Sequence, residues 1–258
     1  MILKTWADGL GKNYDKMAKT YVIGDIHGGL RALQQVVDRA RLKPEDRLIF
    51  LGDYVDGWSE SRQVIDYLME LERSYVCIFI KGNHDDWCEE WLNGEGANMD
   101  WLLHGGQASI WSYTGISAKE KKMHLEFFER MRLYYEEDRR LFVHAGFSNM
   151  RGPVREHNPN NFFWDRTLWE MALAVDKMIP KESLFYPKRL LLYDEIFIGH
   201  TPTTNYDVEV PMQKCNVWNV DTGAAFMGRI TMMDVDTKKF KQSDVVQLLY
   251  PGESGRNK

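Results

Sequence analysis

Five short apolar runs in this chain stop beside a glycine and are followed at once by a side chain able to bind a metal. Few folds satisfy that pattern. The runs end as VIGDIHGG, IFLGDYVDG, FIKGNHDD, LFVHAG and IFIGHT. A brief β-branched and apolar run bounded by turn formers reads as a strand, being too short for a buried helix. Longer stretches with helical spacing follow the first three: LRALQQVVDRA, SESRQVIDYLMELERS and HDDWCEEWLN. Leu30, Leu33, Val36 and Val37 in the first of these, and Val64, Ile65, Leu68 and Leu71 in the second, share one helical face and predict cover for a sheet. This is the rhythm of β-α-β units, hence an α/β chain.

The stretch from Asn93 to about Asp138 is polar, rich in Trp and Gly, and helical in part. RRLFVHAG, EIFIGHT, CNVWNVDTG, GRITMMDVD and DVVQLLY then read as strands with short connections and no regular helix between them, which makes the sheet system mixed. No Pro/Ser/Gly linker divides the halves. Residues 1–258 are therefore expected to form a single domain with its core over about 20–250, and the closing PGESGRNK a frayed tail.

With 44% hydrophobic and 13% aromatic residues, 258 positions suffice for a real core. A net charge of -5 leaves no basic stripe, so no nucleic-acid polymer is expected as partner, whereas a small phosphorylated ligand needs only a few cations. Cys77, Cys88 and Cys215 form no CxxC pair and read as reduced, buried residues. The first twenty residues lack a signal-type apolar core, and no segment approaches the ~18 to 20 apolar residues of a membrane span. A cytoplasmic protein with no membrane partner is the expectation.

In α/β folds ligands gather at the carboxyl ends of strands, so the five endings can converge. They deliver Asp25, His27, Asp53, Asp56, Asn83, His84, His144 and His200. Taken singly, GDYVDG is an ordinary turn with a capping acid, and a lone histidine after a strand is usually hydrogen-bonded packing. Together, carboxylate, imidazole and amide oxygen are the ligand set of Mn, Fe or Zn, and they are too many for one ion. Two ions about 3.5 to 4 Å apart, sharing a carboxylate, would use them. His104, His124 and His157 lie in polar or helical stretches and are left as surface or supporting residues.

On these residues the chain resembles the calcineurin-like metallophosphoesterases and, within them, the phosphoprotein phosphatase family. Gly24–Gly28 is similar to GDxHG, Gly52–Asp56 to the start of GDxVDRG, and Gly82–Asp85 to GNH(D/E), with HAG and GHT as the later histidine motifs. WLLHGGQASIWSY (101–113), FFWDR (162–166) and NVDTGAAFMGRIT (219–231) resemble the bacterial branch that holds Ser/Thr phosphatases and symmetrical dinucleoside tetraphosphatases. The resemblance implies a sandwich of two mixed β-sheets flanked by helices. It implies a first divalent ion on Asp25, His27 and Asp53, and a second on Asp53, Asn83, His144 and His200, with manganese expected and iron or zinc as options. His84 would be the general acid, oriented by Asp56 and favoured by it as imidazolium, while a hydroxide bridging the ions attacks phosphorus.

The family's arginine after the second aspartate is replaced by Gly57, followed by Trp58. Arg166, Lys81 and Arg62 are the candidate substitutes as phosphate binders. Trp58 either stacks on a substrate ring or packs on a neighbouring helix, and the Trp87–Trp111 stretch reads as a packed cap. The implied activity is hydrolysis of phosphomonoesters, with phosphoserine or phosphothreonine protein as substrate; alternatives are symmetrical cleavage of a dinucleoside tetraphosphate, and an inactive phospho-ligand binder.

Overall fold

Alternation along each strand decides what its two faces meet. In the computed structural model, which describes residues 18–257, Leu48 and Phe50 turn toward helices while Ile49 and Leu51 turn toward a second sheet. The reading of the N-terminus as lacking a signal peptide falls largely on residues 1–17, outside the described residues.

The first sheet has the order β10-β9-β1-β2-β3. Its parallel centre is β1 (Thr20–Ile23), β2 (Arg47–Phe50) and β3 (Val76–Phe79), with Ile23 beside Phe50 and Phe50 beside Phe79. Antiparallel β9 (Thr231–Asp234) and β10 (Phe240–Gln242) complete it. The second sheet has the order β4-β5-β6-β8-β7. Here β5 (Arg140–Val143), β6 (Glu195–Ile198) and β8 (Val217–Asn219) are parallel, and β4 (Tyr134–Glu137) and β7 (Met212–Lys214) run antiparallel at the edges.

Val22, Ile49, Leu51, Phe142, Phe197, Val220 and Met233 fill the layer between the sheets, where Phe142 and Phe197 stack at 4.9 Å. The opposite faces are covered by helices. On the first sheet, α1 (Leu30–Ala40) buries Ala32, Leu33, Val36 and Val37, and α2 (Ser61–Leu71) buries Val64, Ile65, Leu68 and Leu71. Each of the Leu, Val and Ile side chains contributes about 1.5–3 kcal/mol on full burial. α3 (Asn83–Leu92), α4 (Met99–Trp101), α5 (Gln107–Ser112) and α6 (Ala118–Glu129) extend that layer. Ser117 and Glu120 cap α6 reciprocally, Glu120 N donating to Ser117 Oγ (3.2 Å) and Ser117 N to Glu120 Oε2 (3.0 Å). The second sheet packs its outer face on α7 (Asn161–Trp164) and α8 (Thr167–Ala174). This is the expected α/β architecture of two mixed sheets flanked by helices.

Several local readings need correction. DVVQLLY is not a strand but contains a short helix, α9 (Val246–Leu249), in which Val246 is buried and Leu248 points to solvent; a short apolar run does not distinguish the two by periodicity. α8 stands between β5 and β6, where no regular helix was expected. β4 and β10 carry charged, half-exposed edge sequences without strand alternation, so nothing in them announced a strand. The three cysteines are free, but only Cys88 is buried and Cys215 is exposed. The tail is not frayed through residue 257: Glu253 accepts from Ser59 N and Oγ (3.0 and 2.7 Å), and Arg256 N donates to Ala225 O (2.9 Å). Among the described residues no helix is long and apolar enough to cross a membrane.

Candidate metal centre

The carboxyl ends of β1, β2, β3, β5 and β6 meet at one edge of the sandwich, and their loops are sewn together through the backbone. Ile26 N and His27 N both donate to Asp53 O (3.0 and 2.9 Å), and Gly199 N donates to His144 O (2.8 Å). The Asp85 carboxylate accepts from Asp53 N, Tyr54 N and Gly82 N (2.7, 2.8 and 2.8 Å), which locks the second loop to the third. His27, Asp53, Asp56 and His200 all have left-handed backbone, with φ of 52°, 55°, 73° and 67°. Gly82 is required for close approach, since a Cβ there would lie 2.1 Å from Asp53 Oδ1.

The side chains this scaffold brings together are those expected. Asn83 Oδ1 lies 3.2 Å from His144 Nε2 and 3.0 Å from His200 Nδ1. Asp53 Oδ2 lies 3.3 Å from His144 Nε2 and 3.5 Å from His27 Nε2, and Asp25 Oδ2 lies 3.7 Å from His27 Nε2. Donors bound at about 2.0–2.2 Å to a common ion sit roughly 3–3.6 Å from each other, so most of these separations suit coordination. Two tight groups result, His27/Asp53/His84 and Asp53/His144/His200, and Asp53 belongs to both. The first group contains His84 where the sequence reading put Asp25. Asp25 stands just behind it, both its oxygens accepting from His200 N at 3.2 Å.

Electrostatics call for a cation at this spot. His144 Nδ1 donates to Leu51 O (2.8 Å), which turns Nε2 toward Asp53 and Asn83. Burial opposes charge on His144, yet the Asp53 carboxylate raises its pKa to about 10, so a proton is drawn into the place where an ion would be held. Burial raises Asp25 to about 7 and lowers His27 to about 4, and it also raises Asp221, beside them, to about 8. A buried set of acids, imidazoles and an amide oxygen fits one or two divalent ions.

Asp56 is fully buried and almost wholly engaged. Its Oδ2 receives His84 Nδ1 and Trp101 Nε1, each at 2.6 Å, and its Oδ1 receives Ser109 Oγ at 2.5 Å. The stretch 101–113 is thus a collar around this acid, within which a kink at His104 and Gly105, between two helical segments, brings Gly105 O to Gly57 N (3.2 Å). Sequence reasoning missed Trp101 and Ser109 as partners of Asp56, although WLLHGGQASIWSY, which contains both, was the available signal. It also missed Asp85 and Asp221, each embedded in a motif that was quoted. With Nδ1 taken by Asp56, His84 presents Nε2 to the centre. Burial pulls its pKa well below the ordinary value and pushes Asp56 up to about 7, against the imidazolium that Asp56 was expected to favour.

Of the three expected phosphate binders, only Arg166 is at the centre, its Nε 3.4 Å from His200 Nε2. Lys81 pairs with Glu89 and Asp86 on the outer side of α3. Arg62 lies on α2, its backbone N bonded to Ser112 Oγ (2.9 Å) and its charge felt at Tyr113 and His124. Trp58 is packed, not a rim aromatic: it is fully buried, stacks on Tyr250 at 5.4 Å and donates Nε1 to Ala224 O (2.8 Å). Trp87 meets the ring of His84 at 5.3 Å and that of Trp164 at 4.9 Å, so part of the expected cap forms a rim. One further cation, Arg256, acts on the pKa values of Asp25, His27 and His84.

The sequence profile of the calcineurin-like phosphoesterases matches residues 18–223, and the chain belongs to that family of metal-dependent phosphoester hydrolases. Among its relatives is the symmetrical bis(5'-nucleosyl)-tetraphosphatase of Pseudomonas entomophila, 25% identical over 87% of this chain and 93% of that protein. The asymmetrical bis(5'-nucleosyl)-tetraphosphatase PrpE of Bacillus anthracis is 27% identical over 82% and 88%. The fold is also that of a Saccharomyces cerevisiae protein serine/threonine phosphatase with similarity to human PP5, at a TM-score of 0.60, 17% identity and coverage of 95% and 85%.

Proposed function

We propose that this protein is a two-metal phosphoesterase that splits bis(5'-nucleosyl) tetraphosphates. The observation that carries the chemistry is the placing of Asp53 between His27 on one side and His144 and His200 on the other, with the His84–Asp56 pair alongside. Asp25, His27 and Asp53 would hold one ion and Asp53, Asn83, His144 and His200 the other; this oxygen and imidazole set suits manganese. When bound, two divalent ions lower the pKa of water and draw negative charge off a phosphoryl group. His84 Nε2 would pass to the leaving oxygen the proton that the Asp56–His84 pair holds, a protonated Asp56 returning one to Nδ1, and Asp56 keeps the ring oriented while Trp101 and Ser109 keep Asp56 in place. Arg166 binds phosphoryl oxygens on the His200 side.

The substrate reading rests on relatives that align over more than four-fifths of the chain and act, by name, on such dinucleotides. Protein phosphatase activity on phosphoserine or phosphothreonine is the second reading, favoured by the exposed Trp164 at the rim and by the yeast fold neighbour. Incubation of the manganese-loaded protein with diadenosine tetraphosphate and, separately, a phosphoserine peptide decides between them. Two ADP per substrate supports symmetrical cleavage, AMP with ATP supports asymmetrical cleavage, and intact dinucleotide with released peptide phosphate overturns the first reading.

A further inference from the structure

The arginine missing after Asp56 leaves a space, and that space is filled. A Cβ built on Gly57 would meet Arg256 Cγ at 3.4 Å and the backbone O and Cβ of His27 at 3.4 and 3.6 Å. A Cβ built on Gly105 would meet the same Arg256 Cγ at 3.1 Å. The aliphatic stem of Arg256 therefore runs in a slot floored by two glycines that are hydrogen-bonded to each other, one residue beyond Asp56 and in contact range of His27. Gly57 has φ +90°, so any side chain grown there would be strained. The stem of Arg256 thus lies in van der Waals contact with the place from which a side chain at 57 would start.

The C-terminal segment is held in this position by the residues that follow Gly57. Trp58 stacks on Tyr250, and its ring closes over Gly255, where a Cβ would lie 2.6 Å from Cζ2. Ser59 binds Glu253 twice, and Glu60 accepts from the Tyr250 hydroxyl. Among the described residues the Arg256 guanidinium pairs with no carboxylate and rests only on the Phe226 ring, 5.2 Å from its centroid. Gly57, Gly105 and Gly255 also line a cleft of about 460 Å³ walled by the exposed Trp111, so the slot that holds the Arg256 stem borders space for the rest of a substrate.

We propose that Arg256, carried in by the C-terminal segment, is the substrate-binding guanidinium on the His27 side of the centre, gripping phosphoryl oxygens from the place that Gly57 leaves open. The inference rests on the phosphoesterase reading above. The test uses the full-length, manganese-loaded enzyme and its Arg256→Ala and Arg256→Lys variants. It records kcat and KM for p-nitrophenyl phosphate, binding of inorganic phosphate by calorimetry, and metal content. Losing a charged fork of donors should raise KM and weaken phosphate binding roughly ten- to hundredfold in Arg256→Ala, with the bound metal retained. Arg256→Lys should recover part of both, since an ammonium keeps the charge without the fork. An active wild type whose Arg256→Ala variant has unchanged KM and phosphate affinity overturns the role of Arg256 and leaves the phosphoesterase reading intact. Equal loss in the Ala and Lys variants with metal released overturns it too, assigning Arg256 to holding the fold. A wild type that binds phosphate but turns over neither this ester nor diadenosine tetraphosphate overturns the phosphoesterase reading instead.

Discussion

The two flanks of the metal centre are built by different means. On the His200 side, His144, Asn83, His200 and Arg166 all lie within a few residues of a strand end or a recognisable motif, and the chain delivers each where its motif implies. On the His27 side, Asp25, His27 and Asp53 arrive in the same local way, but the neighbouring cation comes from position 256, nearly two hundred residues from Gly57. The contrast teaches that a motif records what local chain geometry can deliver, while a function displaced onto a distant segment leaves only a gap in the motif. The gap at Gly57 was visible; its filling was not.

The comparison can be tested hardest at Asp53, which belongs to both flanks. Asp53→Asn removes the shared charge, and turnover should fall to background with loss of bound metal, measured by elemental analysis and by p-nitrophenyl phosphate hydrolysis. If one flank kept its ion and worked alone, residual activity with one equivalent of metal would remain. His84→Ala should cost roughly 10²–10⁴-fold in kcat with metal content little changed, and less with a nitrophenolate leaving group than with an alkyl phosphate. An equal loss on both esters would remove the proton-donor role.

Arg166→Ala is the counterpart of the tail variant on the other flank, with KM expected to rise roughly tenfold. If the two guanidiniums grip different oxygens, the losses in Arg166→Ala and Arg256→Ala should multiply in the double variant.

The smallest effect concerns the loop after His144. Partial burial works against the charge of Glu156, but N–H donors from Ser148, Asn149 and Asn158 and the Ser148 hydroxyl hold its pKa at about 2. A folded-state value below the ordinary 4.5 means that the unfolded chain binds the proton more readily. The stabilisation is therefore complete above pH 4.5 and drains away as pH falls toward 2. Glu156→Gln should cost about 1 kcal/mol at neutral pH after solvent screening, with the gap to wild type in denaturant melts closing through that window. A gap independent of pH would assign the effect to packing.

What was legible in the sequence follows the same division. The sheet cores, the faces of α1 and α2 and the eight polar side chains at strand ends could be read because period and neighbouring residues carry the information. Trp101 and Ser109 were quoted in a motif without a partner, because the contacts to Asp56 cross forty-five or more positions of chain. The closing PGESGRNK, rich in Gly and polar residues, has the composition of a loose end; what orders it is Trp58 and Ser59, which no local pattern ties to it. Edge strands such as β10 escape for a related reason, since half-exposed residues have little need to alternate.

The left-handed backbone at His27, Asp53, Asp56 and His200 bears on how such a centre is best dissected. Aspartate and histidine are among the few residues other than glycine that enter this region readily, so the ligand alphabet here doubles as a backbone alphabet. Replacing any of the four by alanine deletes a side-chain function and at the same time forces a less tolerant residue into that conformation. Glycine accepts the conformation without steric cost, which makes it the cleaner deletion, and the difference between the Gly and Ala variants at one site would gauge the backbone contribution separately from the lost ligand.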